Sequence, residues 1–164
     1  RGGTPEPVSI LFEDCVARGN GEEGMVVGAL TPDGPKGSIE FRNCVAEAVR
    51  RPAAQVFDKA PEGALVKFTR CSFTAGADDK SREAVPVIFG VRRTKDPAAF
   101  GGVEFEECHV FAASDRPAVR VIRRADNQTI ADISGTLCMH GTPTTLIDMP
   151  ENVSMPDLKL VKAE

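Results

Sequence analysis

The chain of 164 residues contains no Trp and no Tyr, only two His, and no apolar run near the roughly 20 residues that span a bilayer. Without Trp or Tyr, only Phe remains to stack on a pyranose ring, which weighs against a sugar cleft lined by aromatic platforms. Twenty Lys and Arg face 24 Asp and Glu, and the net charge of −4 excludes nucleic-acid binding driven by bulk charge. The five Cys are an odd number with no CxxC pair, so neither a closed disulfide framework nor a zinc knuckle is expected. His109 and His140 have no second His or carboxylate at metal-ligand spacing, so both are assigned to surface or loop and no metal is expected. A Gly-rich phosphate loop, a GxSxG elbow and an acidic calcium repeat are also missing, so no cofactor is expected.

What the chain does have is one motif written five times. Ile10–Val16, Ile39–Val45, Val66–Ser72, Val103–His109 and the degraded Ile133–Met139 each carry a Cys, and all five Cys belong to this series. In the better copies an Ile or Val is followed two residues later by Phe, as in Ile39 with Phe41, Val66 with Phe68 and Val103 with Phe105. Leu11, Glu40, Lys67, Glu104 or Ser134 sits between, which is the period-two alternation of a half-buried strand. Two polar residues then turn the chain, and the Cys re-enters the core as a small buried hydrophobe. Stacked coils would put all five Cys in one interior column of reduced thiols.

A second, proline-led series lies between the motifs. Pro52–Lys59, Pro86–Arg93 and Pro117–Arg124 align on their first residue, where a missing N–H costs a strand least. Gly- and Pro-bearing loops close each unit. Three short strands and three corners in about 30 residues make one coil of a parallel β-helix. A helix over Cys44–Gln55 is the strongest rival element, but Pro52 interrupts it. A sandwich has no reason to place Phe-x-x-Cys in phase in successive strands.

The coil pattern, clearest in Ile39-Glu40-Phe41-Arg42-Asn43-Cys44-Val45, resembles the pectate-lyase-like superfamily over roughly residues 8 to 148. The resemblance implies an all-β, right-handed parallel β-helix solenoid of about five coils. Residues 1–150 are expected to form the coils and residues 151–164 a C-terminal capping tail. No catalytic motif comes with it. Many members of that superfamily act on acidic polysaccharides, and others are tailspikes, adhesins or surface proteins. The corner Asn occurs once, at Asn43, with Asp14, Arg70, Glu107 and Leu137 in the other copies, so a full asparagine ladder is not expected.

Two candidate surfaces follow from the proline-led register. Lys59, Arg93 and Arg124 would form a basic column, with Arg120 higher on the same face, spaced to meet successive carboxylates of an acidic polysaccharide. If Ala54, Val56, Val119 and Val121 face inward, Phe57, Phe89, Val91 and Ile122 form an apolar stripe outside, to be covered by the Asp78–Ala84 loop, a partner chain or a missing upstream domain. Acid pairs for glycoside hydrolysis, Asp58 with Asp33 or Glu106 with Glu107, are not singled out by their neighbours. The chain starts at Arg1 with few residues before the first strand, which suggests the C-terminal portion of a longer secreted or cell-surface protein, bacterial by analogy. Three readings of function result: a structural or substrate-supporting segment of a carbohydrate-active or surface protein, with catalysis elsewhere; a small polysaccharide lyase or glycoside hydrolase; and a non-enzymatic adhesin or assembly module that forms homo-oligomers.

Overall fold

The structure is a computed structural model and describes residues 6–19, 22–28, 30, 34, 36–76, 83–96, 98–113, 116–143, 145–155 and 157–163. Its first coil holds β1 (Val8–Glu13), β2 (Val16–Gly19) and β3 (Met25–Gly28); the second holds β4 (Gly37–Arg42), β5 (Val45–Ala48) and β6 (Ala54–Phe57). The third holds β7 (Leu65–Thr69), β8 (Ser72–Ala75) and β9 (Val87–Gly90). The fourth holds β10 (Ala99–Phe100), β11 (Val103–Phe111) and β12 (Val119–Ile122). Then come β13 (Thr129–Ile130), β14 (Ile133–His140), β15 (Ile147–Asp148) and β16 (Leu158–Lys162).

Pairing is parallel, and each strand lies on its counterpart in the next coil, giving an all-β parallel solenoid. It makes about four turns, one fewer than expected. Five motif copies are separated by only four rises, and the last coil closes through the two-residue β15. β11 and β14 run unbroken through a corner that the first three coils turn with two residues, so the first- and second-strand stacks merge into one nine-stranded sheet. β3, β6, β9, β12 and β15 form a separate five-stranded sheet. The segment Cys44–Gln55, the strongest helical rival, carries β5 and the start of β6, in line with the β-helix reading.

Identical side chains meet because register is conserved from coil to coil. Phe12, Phe41, Phe68 and Phe105 stack with centroids 4.9, 5.1 and 5.3 Å apart and rings within 14° of parallel. That is close to the coil rise of about 4.8 Å and within the range of favourable offset stacking. The stack ends at Gly135, the register partner of Phe105, where an added Cβ would collide with the Phe105 carbonyl.

At each corner the residue before the Cys adopts the left-handed conformation: Asp14, Asn43, Arg70 and Glu107 have φ of 51 to 54°. Asn and Asp tolerate this best, which explains their presence in the first two copies. In place of an asparagine ladder, Asn43 donates to Asp14 at 3.1 Å and Arg70 to Asn43 at 2.9 Å. Just inside the corner, the thiols of Cys44, Cys71 and Cys108 donate to the carbonyls of Phe12, Phe41 and Phe68 one coil back, at 3.3 to 3.4 Å. A small apolar side chain with a weak S–H donor therefore suits this row. All five cysteines are free. Only four stand in the column, however. The corner of the last copy is one residue shorter than that of β11, so Leu137 pairs with Cys108 and Cys138 pairs with His109, on the outer face.

Among the described residues no helix is long and apolar enough to cross a membrane. At the far end, β16 pairs with β14 and buries Leu158. At the near end, β1 is exposed throughout, with Ile10 and Phe12 each 42% accessible.

Candidate functional site

The outer face of the five-stranded sheet carries a concavity. Alternation along β6, β9 and β12 turns Ala54 and Val56, Val87 and Phe89, and Val119 and Val121 inward. The same register aligns Gln55, Ile88 and Arg120 in one outward row, with Phe57, Gly90 and Ile122 in the next. Gln55, Ile88, Arg92, Arg120 and Ile122, with Pro52 and Glu83 at the edge, line a shallow cleft of about 180 Å³. Arg92 Nη1 donates to Gln55 Oε1 at 2.8 Å, and Arg120 Nε donates to Asp148 Oδ2 at 2.7 Å. These contacts orient two guanidinium groups over successive coils. Glu83, the acid at the cleft edge, is ion-paired with Arg51.

The expected basic column is arranged differently. Lys59 is fully buried and donates to the Ala60 carbonyl at 3.0 Å, so it does not stand on a rim. Burial pushes its pKa down to about 8, against opposing pulls from Glu62 and Asp132. Arg93 and Arg124 are exposed, and Arg120 is half-buried in the cleft. Arg92, absent from the sequence-based set, joins Arg120 there instead. Asp58 is occupied as a bracket: its Oδ1 accepts from the backbone N–H of Arg92 and Arg93 at 2.8 and 3.2 Å. Asp33 lies outside the described residues. Glu106 is paired with Lys67 at 2.6 Å, and this hydrogen bond and charge hold its carboxyl below the ordinary carboxylate range.

The expected apolar stripe is also corrected. Phe89 and Val91 lie in the core at 0% and 1% exposure. Val87, not the Ile88 that the proline alignment sets there, pairs with Ala54, so aligning the prolines displaced this strand by one residue and reversed its faces. Phe57 and Ile122 do face outward, but Phe57 is buried: a Cβ on Gly28 would fall 2.5 Å from its ring. The Arg93 guanidinium lies 4.7 Å from the Phe57 centroid and that of Arg92 5.9 Å, so two cations of this chain cover the ring. Of the Asp78–Ala84 loop expected as one possible cover, residues 78–82 lie outside the described residues.

A second group, on the outer face of β11 and β14, was hidden by the cysteine series. His109 pairs with Cys138 and Phe111 with His140, so the four side chains form a two-by-two outward patch. His109 Nδ1 and His140 Nε2 are 2.9 Å apart. The ligand atoms of His109, Cys138 and His140 all lie within 4.8 Å of one another. Phe111 stacks on His140 at 4.3 Å with rings 12° from parallel. One signal was available in the sequence: Leu137-Cys138-Met139-His140 reads apolar, polar, apolar, polar when aligned on Cys108-His109-Val110-Phe111.

No protein-family model, curated protein or solved structure matches this chain. The parallel β-solenoid is therefore established by the register itself.

Proposed function

We propose that this chain is a β-helix segment of an extracellular carbohydrate-active or surface protein of pectate-lyase-like type, secreted or exposed on a bacterial cell. Its role is structural or substrate-supporting, with catalysis elsewhere. The observation that carries this reading is the cleft on the five-stranded sheet, where Arg92 and Arg120 sit on successive coils beside Gln55. Arginine presents a planar fork of N–H donors matched to carboxylates, and a coil-by-coil repeat suits an extended acidic saccharide better than a compact ligand. Lys59, the amine whose lowered pKa would suit a lyase base, is locked in the core away from this cleft.

The test is binding of the purified chain to uronate and neutral oligosaccharides at low and high salt. Uronate-selective, salt-sensitive binding that weakens in Arg92→Ala and Arg120→Ala is expected. Absence of binding to any acidic saccharide overturns the saccharide contact. Efficient cleavage by the chain alone overturns the supporting role.

A further inference from the structure

We infer that His109, Cys138 and His140 form a site for a zinc-class transition-metal ion, bridging the last two copies of the motif on the outer face of the solenoid. Two imidazole nitrogens and one thiolate are the donors that borderline and soft late transition metals prefer over calcium or magnesium. In a tetrahedral zinc site, with Zn–N near 2.0–2.1 Å and Zn–S near 2.3 Å, neighbouring donor atoms stand about 3.3 to 3.6 Å apart. The nitrogens here are 2.9 Å apart, and all three donors fall within 4.8 Å. Side-chain rotation of about 1 Å would close that difference without moving the strands.

Three features make this more than chance proximity. All three residues stand on paired β-strands, which fix positions better than loops do. Phe111 lies flat against His140 and restricts its ring. The shortened corner of the last copy is what turns Cys138 out of the core and brings it opposite His109. A regular fifth coil would have buried that thiol with the other four. The residues are half-buried, so an ion has access from solvent and a fourth coordination position remains for water or a ligand.

The site ties β11 to β14 where the Phe stack has already ended, so metal binding is also expected to raise the melting temperature. This inference does not depend on the saccharide reading, since the two groups lie on different sheets.

The test uses the whole chain, reduced and stripped with a chelator, then titrated with Zn²⁺ against a chromophoric competitor and separately with Co²⁺. One equivalent should bind, and the Co²⁺ form should show thiolate-to-metal charge-transfer absorption with tetrahedral d–d bands. Cys138→Ser should abolish the charge-transfer band, and His140→Ala should weaken Zn²⁺ binding at least tenfold. Cys15→Ser, which alters the other accessible thiol, should change neither. The inference is overturned if the wild-type chain gives no thiolate–cobalt band, or if binding survives Cys138→Ser and His140→Ala together. It is equally overturned if Cys15→Ser alone removes binding. Because the cobalt spectra of the wild-type and Cys15→Ser chains decide the thiolate question between them, a poorly folding Cys138→Ser or His140→Ala variant leaves the test intact.

Discussion

Replacing Lys59 by Met should stabilise the protein at neutral pH and lose that advantage in alkali. Lys59 is completely buried, and this desolvation, with a smaller push from Lys36 of like charge, lowers its pKa from 10.5 to about 8. At 1.36 kcal/mol per pH unit, that fall makes the ammonium about 3 kcal/mol harder to bury than the neutral amine. The penalty is fully present below pH 8, where the group is charged in both states. Between pH 8 and 10.5 the unfolded chain holds the extra proton, so stability from this residue rises with pH until the amine is neutral in both. Met keeps the apolar stem and deletes the charge, but it loses the hydrogen bond to Ala60, worth about 1 kcal/mol. The expected balance is a gain of about 2 kcal/mol at pH 7, reversing to a loss of about 1 kcal/mol once the amine is neutral. Urea unfolding of both proteins from pH 7 to pH 10.5 measures it. The difference between them isolates Lys59, because ionising thiols affect both alike. A difference that stays flat across that range refutes the reasoning.

Three further outcomes follow from the packing. Gly135→Ala should destabilise by several kcal/mol in denaturant titration, because φ is +111° and the new Cβ strikes the Phe105 carbonyl. Phe68→Ala, in the middle of the ring stack at 1% exposure, should cost about 3 to 5 kcal/mol, and Phe12→Ala, half-exposed at its end, about 1 to 2; equal losses would mean the stack does not act as a core. In thiol titration of the folded, metal-free protein, Cys15 and Cys138 should react quickly and Cys44, Cys71 and Cys108 only on unfolding. Burial raises the thiol pKa of Cys44, while the Cys108 sulfur and then burial raise that of Cys71. Bound zinc should protect Cys138 and leave Cys15 reactive.

The sequence by itself determined the coil. Ile or Val, then Phe, then a polar corner, then Cys, written at intervals of about 30 residues, satisfies one geometry only, because period-two burial and in-phase repetition both have to be met by stacking. It also settled which residues of β6 and β12 face inward, since Ala54, Val56, Val119 and Val121 lie in the core. Tertiary structure decided whatever turned on a single residue of register. The prolines of the second series do not pair with one another, so Phe89 and Val91 went to the core. The last corner is one residue short, so Cys138 went to the surface beside two histidines. A sequence motif shows the period of the chain, whereas a strand's face depends on hydrogen bonds to its neighbour, and one inserted or deleted residue exchanges inside for outside. Lys59 follows the same logic. Its charge suggested solvent, but the side chain is fully buried, with the amine against Gly102 and bonded to the Ala60 carbonyl, so the packed coil fixes where it lies.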